Sequence, residues 1–195
     1  MEIILIRHGK TDANERRLYC GSTDLPLSEN GVVGLRQLLE SHAYPDITGM
    51  RVCTSGMLRA DQTLSAIYGL LTHDTIPGLR ELDFGKFEMH SYDELKEDPD
   101  YLAWITDNSG ETRCPGGESS AIFKKRVFEA FDELVNNEES AFVVCHGGVI
   151  AEIMARLFPD SGKNFYEWQP SAGCGYAISF SGVIPVSFAP VPVTR

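Results

Sequence analysis

The sequence predicts an α/β fold, a three-layer sandwich in which a largely parallel central sheet carries helices on both faces. Short apolar runs with the length of buried strands, such as residues 3–6 and 141–145, alternate with longer segments of helical periodicity. This alternation is typical of parallel sheets, because a helix returns the chain between neighbouring parallel strands. A length of 195 residues suits one domain spanning residues 1–195.

The first half of the chain supplies two strands and two helices. Ile3–Ile6 is an uninterrupted apolar run, as expected of a strand buried on both faces. A helix is predicted over about Asn30–His42, where leucines recur on one side. A second strand over Arg51–Thr54 precedes helical periodicity over about Met57–Leu71, and a loop follows as far as Gly85.

The segment 86–117 differs in composition from its surroundings. It is rich in Asp, Glu, Tyr and Trp and contains Pro99, Pro115 and the pair Gly116-Gly117. We predict an insertion of short helices that forms a lid. Aromatic residues in and beside it either line a pocket or pack in the core: Phe84, Phe87, Tyr92, Tyr101 and Trp104.

The remaining elements complete the alternation. A long helix is predicted over about Glu118–Asn136, a third buried strand over Ala141–Cys145 and a helix over about Val149–Phe158. A hairpin is predicted from strands over 176–180 and 184–188. The proline at position 185 favours the edge of the sheet for the second of these strands, because proline has no N–H to donate.

Charge and cysteine usage argue against several classes of protein. Seventeen basic and 28 acidic residues give a net charge of −11, without a long basic run. Nucleic acids and anionic membranes are bound through clustered Lys and Arg, so neither partner is expected. No apolar run approaches the length of a membrane span, and no export signal is apparent. Five scattered cysteines without a CxxC pair predict reduced thiols and a cytoplasmic location.

Unusual residues follow three of the predicted strands. Arg7–Thr11 follows the first, Thr54–Gly56 with Arg59 follows the second, and His146–Gly148 follows the third. In open α/β sheets, ligands bind beyond the carboxyl ends of the strands. Two arginines, two histidines and a glycine-opened helix N-terminus suit a tetrahedral dianion, because guanidinium groups and free helix N–H groups both bind phosphate.

Four segments occur in an order and spacing that match one family across essentially the whole chain. They are Arg7–Thr11 with Asn14, Ser55–Thr63, Glu81–Gly85 and His146–Gly148. Together they resemble the motifs of the histidine phosphatase superfamily, in the branch that includes cofactor-dependent phosphoglycerate mutase. The resemblance implies a phosphoglycerate mutase-like fold and a phosphohistidine intermediate, with neither a metal ion nor a cofactor.

The resemblance also assigns roles to individual residues. His8 would be the nucleophile, and Glu81 would protonate the leaving alkoxide and then accept a proton from water. Asp83 and Glu88 compete for this acid role, but the motif favours Glu81. The phosphoryl oxygens would be held by Arg7, Arg59, His146, Asn14 and the Gly147 amide. Attack requires a neutral His8, whose other ring nitrogen should then donate to a backbone carbonyl.

The segments 19–28, 83–88 and 115–119 look most like the α-ribazole phosphatase group of this family. This resemblance implies a small phosphorylated metabolite as the partner, with α-ribazole 5'-phosphate as one candidate. Ser22 and Thr23 are candidates for hydrogen bonding to it. Lys10 stands where family members often carry Glu or Gln, and it either contacts substrate or is solvated. Both a monomer and a homodimer fit the sequence.

Four alternatives stay open at this point. Cys53 and Arg59 have the Cys-x5-Arg spacing of cysteine-dependent phosphatases. A metal site built from His8, Glu81 and His146 is conceivable, although neighbouring arginines would repel a cation. The protein could bind phosphate without catalysis. It could also be a mutase, but the longer segment that mutases of the family carry after the acid is missing, which favours hydrolysis.

Overall fold

A six-stranded mixed sheet forms the centre of the computed structural model, which describes residues 1–194. The strand order is β4-β3-β5-β1-β6-β7, and a separate antiparallel pair is formed by β2 and β8. The strands are β1 (Glu2–Arg7), β2 (His42–Ala43), β3 (Arg51–Thr54), β4 (Asp74–Thr75), β5 (Ala141–Cys145), β6 (Gly175–Ser181), β7 (Ile184–Val191) and β8 (Val193–Thr194). The first four strands of the sheet are parallel, whereas β6 and β7 are antiparallel to their neighbours.

Helices connect these strands and begin at side chains that cap them. They are α1 (Asp12–Glu15), α2 (Glu29–Ser41), α3 (Leu58–Tyr68), α4 (Tyr92–Leu95), α5 (Pro99–Ile105), α6 (Ser120–Asn136), α7 (Gly147–Leu157) and α8 (Phe165–Trp168). Short 3₁₀ helices cover Pro77–Leu79, Gly85–Phe87 and Pro159–Ser161. The Ser28 and Ser119 side chains accept the N–H groups that α2 and α6 leave free at their first turns.

Alternate residues of the central strands enter two separate apolar cores, one on each face of the sheet. Ile3 and Leu5 of β1 pack in the larger core, which contains Phe131 of α6 and Ile150 of α7. Their neighbours in β1 pack instead with Leu64 of α3. Because strand side chains alternate between faces, this division shows helices on both sides and confirms the three-layer sandwich.

The main predicted strands and helices are confirmed, with differences at their ends. The helix predicted to reach Leu71 ends at Tyr68, because Gly69 takes a positive φ of 80° and leaves the helix. Leu70, predicted inside that helix, is 94% exposed. The prediction missed the short elements β2, β4, β8, α1 and α8, whose two to four residues are too few to show periodicity.

The segment 86–117 contains α4 and α5, as its composition predicted. Phe87, Leu95 and Tyr101 from this segment are buried in the larger core together with the sheet. No helix within residues 1–194 has both the length and the apolar composition needed to span a membrane.

Candidate active site

The carboxyl ends of three parallel strands bring the predicted residues to one edge of the sheet. In the register of the sheet, Arg7 of β1 lies opposite Cys145 of β5, while Val144 lies opposite Thr54 of β3. The residues that follow are therefore neighbours: the His8 and His146 rings lie 5.1 Å apart between centroids. The structure thus places both histidines where the sequence predicted a phosphate site.

His8 is a buried imidazole with a fixed hydrogen bond. Its Nδ1 donates to the carbonyl oxygen of Gly9 over 2.6 Å, which requires the proton on Nδ1 and leaves the lone pair on Nε2. Burial, together with the positive charge of Arg59 and a smaller contribution from Arg7, lowers the pKa of His8 to about 3, although the hydrogen bond to Gly9 acts in the opposite direction. The predicted contact with a backbone carbonyl is confirmed, and it fixes the tautomer in which Nε2 is free. Burial and the neighbouring arginines keep His8 in the neutral form that nucleophilic attack requires.

The lowered pKa of His8 predicts a stability that falls in acid. In the unfolded chain the His8 imidazole binds a proton below about pH 6.5, whereas in the folded protein it does so only near about pH 3. The unfolded state therefore holds more protons across this range, and stability drops as pH falls through it, by up to about 1.4 kcal/mol per pH unit. Urea unfolding of the wild type and His8→Asn at pH 4.5 to 7 measures the effect. The free energy of unfolding of His8→Asn should decline less steeply with falling pH than that of the wild type. Equal slopes would contradict the lowered pKa of His8.

His146 precedes α7 and faces a serine from the neighbouring strand end. Its Nε2 shares a hydrogen bond of 2.9 Å with Ser55 Oγ, and its buried Nδ1 has no hydrogen-bond partner within the described residues. Burial lowers the pKa of His146 well below its usual value, and the charge of Arg59 acts in the same direction. Ser55 was part of a motif but was given no role, and the structure shows that it orients His146.

Two guanidinium groups are held beside the histidines by backbone carbonyls. Arg59, only 1% exposed, donates from Nη1 to Thr23 and from Nη2 to Gly21, at 3.0 and 2.7 Å. Arg7 donates from Nη1 to Pro170. The Nε atom of each arginine is buried and has no hydrogen-bond partner in the described part of the chain. Such donors suit an oxyanion, because a buried unpaired N–H is costly.

Glu81 lies against the N-terminus of α7. Its Oε2 accepts the Gly148 N–H at 2.9 Å, and its Oε1 accepts the N–H of Leu82 at 3.1 Å. A side chain at position 148 would overlap this carboxylate, and a Cβ at Gly147 would lie 3.2 Å from Arg7 Cζ. The two glycines therefore let a carboxylate and a guanidinium group approach the same helix end.

An arginine from α6 secures the loop that carries Glu81. Arg126 donates to the carbonyls of Gly78, Arg80 and Glu81. The same guanidinium forms a two-point pair with Glu118, at 2.9 and 2.7 Å. Sequence reasoning missed Arg126, since the three carbonyls that it holds lie 45 to 48 positions away and no motif links them to it.

Glu88 has a structural task. Its carboxylate accepts backbone N–H groups from Gly21, Ser22, Thr23 and Phe84. It therefore fixes the loop whose carbonyls hold Arg59. Among the acids considered for proton transfer, this arrangement distinguishes Glu88 from Glu81, which lies at the helix end beside the arginines.

The other predicted binding residues either form hydrogen bonds within the protein or are exposed. Asn14 caps α1, where its Oδ1 accepts the N–H and the hydroxyl of Thr11. Ser22 Oγ donates to Asp83, and Thr23 contributes its carbonyl to Arg59. The Lys10 side chain is exposed and lines a separate cleft along α2, so the structure does not bring it together with the other site residues.

Gly21 lies where the loop that holds Arg59 packs against the loop that carries Glu81, so we expect a side chain at this position to disturb both loops. A Cβ there would overlap the carbonyl oxygen of Leu82, next to Glu81. We expect Gly21→Ala to lower stability by about 1–3 kcal/mol and to reduce activity, because both loops must shift. The matched control is Gly34→Ala within α2, where a Cβ meets nothing within 4 Å and should stabilise the protein by up to about 1 kcal/mol. Thermal unfolding and turnover of both variants check these expectations. Equal stability and equal activity of Gly21→Ala and Gly34→Ala would contradict them.

A cavity of about 510 Å³ opens beside Glu81 and Gly148. Its aromatic lining consists of Tyr19, Phe84, Trp104, Phe123, Phe165 and Tyr166. Of the lid aromatics left open by the sequence, Phe84 and Trp104 therefore face this cavity, whereas Phe87 and Tyr101 are buried in the core. The cavity therefore has an aromatic surface next to Glu81, the carboxyl group that would protonate a leaving group.

Two alternative chemistries lack geometric support. The Cys53 thiol lies in the larger apolar core, and burial raises its pKa to about 11. A buried thiol of this kind is a poor nucleophile. We expect Cys53→Ser to keep turnover within about threefold of the wild type. Within residues 1–194, no three His, Cys, Asp or Glu side chains converge to hold a metal ion, so the proposed trio of His8, Glu81 and His146 does not form a metal site.

Comparison with known proteins places the chain in a family. Residues 3–183 match the profile of the histidine phosphatase superfamily (branch 1). The adenosylcobalamin/alpha-ribazole phosphatase of Salmonella typhimurium is 32% identical over 188 residues, covering 91% of this chain and 90% of the relative. A protein of Enterobacter sp. named "Probable phosphoglycerate mutase GpmB" is 30% identical over 152 residues, covering 75% of this chain and 70% of the relative.

A solved structure agrees with the sequence comparisons. The alpha-ribazole phosphatase from Shigella flexneri superposes with a TM-score of 0.80 at 27% identity, covering 100% of this chain and 95% of that one. The matched residues 3–183 cover the six-stranded sheet except for Glu2 and strand β7, and they include all the strand ends that carry the site. The chain therefore belongs to branch 1 of the histidine phosphatase superfamily.

Proposed function

We propose that the protein is a phosphomonoesterase that hydrolyses a small phosphorylated metabolite through a phosphohistidine at His8. One observation carries this proposal: a neutral imidazole with its Nε2 lone pair free lies beside His146, near two arginines whose buried Nε–H groups have no partner among residues 1–194. Arginine and imidazole groups can stabilise the charge on the equatorial phosphoryl oxygens without a metal ion.

In the first step, His8 Nε2 attacks phosphorus in line with the ester oxygen. The N–P bond forms as the P–O ester bond breaks, and Glu81 transfers a proton to the leaving alkoxide. Arg7, Arg59, His146 and the Gly147 amide hold the phosphoryl oxygens, in the roles that the family motifs imply. The hydrogen bond from Nδ1 to Gly9 orients the attacking nitrogen.

In the second step, water attacks the phosphohistidine. Glu81, now ionised, accepts a proton from that water, and the bonding pair of the N–P bond returns to His8 Nε2. Inorganic phosphate leaves, and both side chains regain their starting protonation states. The same carboxylate thus acts first as acid and then as base.

We propose α-ribazole 5'-phosphate as the first substrate to test. Relatives and a structural neighbour that cover nearly the whole chain carry the name α-ribazole phosphatase. α-Ribazole contains an aromatic base, and the cavity beside Glu81 offers a largely aromatic lining to such a group. We also propose that segment 86–117, which contributes Trp104 to this lining, covers the cavity within a single domain.

A mutase is the second candidate, because one group of relatives carries that name. A panel of phosphomonoesters distinguishes the two: α-ribazole 5'-phosphate, phosphoglycerates, sugar phosphates and nucleotides, each with wild type and His8→Ala. Release of inorganic phosphate by wild type alone supports the phosphatase. Conversion of 3-phosphoglycerate to its isomer without phosphate release favours the mutase. Phosphate binding without turnover of any ester favours a non-catalytic protein.

A further inference from the structure

An ion pair stands in the wall of the cavity beyond Glu81. Lys124 of α6 and Glu152 of α7 approach to 3.4 Å between Nζ and Oε1, and both line the cavity. The Glu152 side chain is only 12% exposed, whereas that of Lys124 is 47% exposed. Glu152 follows Gly148 by one helical turn, so the two residues share the face of α7 that borders the cavity.

Negative charge predominates around this pair. The cavity lining includes the carboxylates of Glu81, Asp107 and Glu152, against the single cation of Lys124. Burial raises the pKa of Glu152, the paired Lys124 opposes this shift, and the charge of ionised Glu81 adds a smaller upward contribution. Asp107 is held ionised, because hydrogen bonds from Ser109 and Thr112 lower its pKa.

The arginines cannot relieve this charge. Arg7 and Arg59 are fixed by backbone carbonyls of Pro170, Thr23 and Gly21, would hold the phosphoryl group in the proposed mechanism, and do not line the cavity. While Glu81 holds the proton that it transfers, a second anion carried by the leaving group would therefore still meet the carboxylates of Glu152 and Asp107 and one lysine that is already paired. Like charges brought together in such a confined space oppose binding strongly.

We propose that Glu152, paired with Lys124, makes this end of the cavity accept uncharged leaving groups and reject anionic ones, an inference that rests on the phosphomonoesterase function proposed above. The substrate class is a phosphate monoester of an uncharged alcohol that carries an aromatic ring. A further hydroxyl on that alcohol can donate a hydrogen bond to the Glu152 carboxylate, whereas an ionised carboxylate in the same place has no proton to donate.

Two matched esters test the proposal: benzyl phosphate and 4-carboxybenzyl phosphate. They differ by one remote carboxylate, so the ester oxygen and its leaving tendency are nearly the same. For the wild type, kcat/KM for the uncharged ester should exceed that for the anionic ester by about tenfold or more. In Glu152→Gln, which leaves Lys124 unpaired, this ratio should fall to about twofold or below.

Two further variants separate the charge at this position from general effects. Lys124→Gln keeps the carboxylate, so its ratio should be at least as large as that of the wild type. The control is Glu129→Gln, which removes a carboxylate from an exposed pair with Lys125 on α6, outside the cavity. Its rates and its ratio should match those of the wild type.

The outcomes distinguish the inference from the function on which it rests. If the wild type hydrolyses both benzyl esters equally, or if Glu152→Gln keeps the wild-type ratio, the assignment of Glu152 is wrong and the phosphomonoesterase stands. A relaxed ratio in Lys124→Gln also contradicts the assignment. If the wild type hydrolyses neither ester nor any monoester of the wider panel, the proposed function fails, and this inference fails with it.

Discussion

Replacing His8 with alanine is expected to lower kcat by at least about 10³-fold, because the nucleophile that carries the phosphoryl group is lost. The fixed arginines would still bind the dianion, so KM should change much less than kcat. Steady-state release of phosphate measures the loss. Rapid quenching with a ³²P-labelled ester should show an acid-labile protein label in the wild type and none in the variant.

The matched control for this experiment is His90→Ala. His90 is an exposed histidine whose Nδ1 contacts the carbonyl of Glu88, in the segment that follows the site loops. It should retain wild-type turnover and the label. Because the His8 side chain is buried, urea unfolding of His8→Ala must show a folded protein before its rate is interpreted. A folded His8→Ala that keeps a tenth of the wild-type rate would remove the basis of the mechanism.

The second large effect is expected for Glu81→Gln, and it should depend on the leaving group. For alkyl esters, loss of the proton donor should reduce kcat/KM by about 10²–10⁴-fold. For 4-nitrophenyl phosphate, the leaving nitrophenolate needs no proton, so phosphorylation of His8 should stay fast. Hydrolysis of the phosphohistidine lacks its base, so a burst of about one nitrophenolate per enzyme should precede slow turnover.

Asp83→Asn is the control for this second experiment. Asp83 lies in the same loop, but its carboxylate accepts the Ser22 hydroxyl and the Gly85 N–H. Any loss in this variant should be similar for alkyl and nitrophenyl esters, with no burst. A leaving-group dependence in Asp83→Asn, together with a uniform loss in Glu81→Gln, would transfer the acid role to Asp83.

The residues at the strand ends could be predicted from sequence because their placement follows from topology. Parallel strands end at the same edge, so His8 and His146 could be expected at one edge of the sheet, and the pairing of β1 with β5 brings them close together. The supporting contacts could not be predicted in this way. Glu88 reaches Gly21 across 67 positions, and both lie in irregular loops whose paths no periodicity specifies.

The end of α3 and the packing of segment 86–117 also could not be predicted from periodicity or composition. Helical periodicity predicted the body of α3, but its end was decided by the left-handed backbone of Gly69. Composition predicted short helices in segment 86–117, yet it could not tell Trp104, which borders the cavity, from Tyr101, which is buried in the core. That difference depends on how the segment packs against the sheet.

The backbone carbonyls of Gly21, Thr23 and Pro170 set both guanidinium groups before any substrate arrives. By contrast, the cavity beyond Glu81 is walled by side chains from α5, α6, α7 and α8, together with loop residues such as Tyr19 and Phe84. Exchanging those helix side chains leaves the backbone carbonyls that hold Arg7 and Arg59 in place. Substrate preference can therefore drift during evolution by single replacements on four helices, while the catalytic apparatus is inherited unchanged.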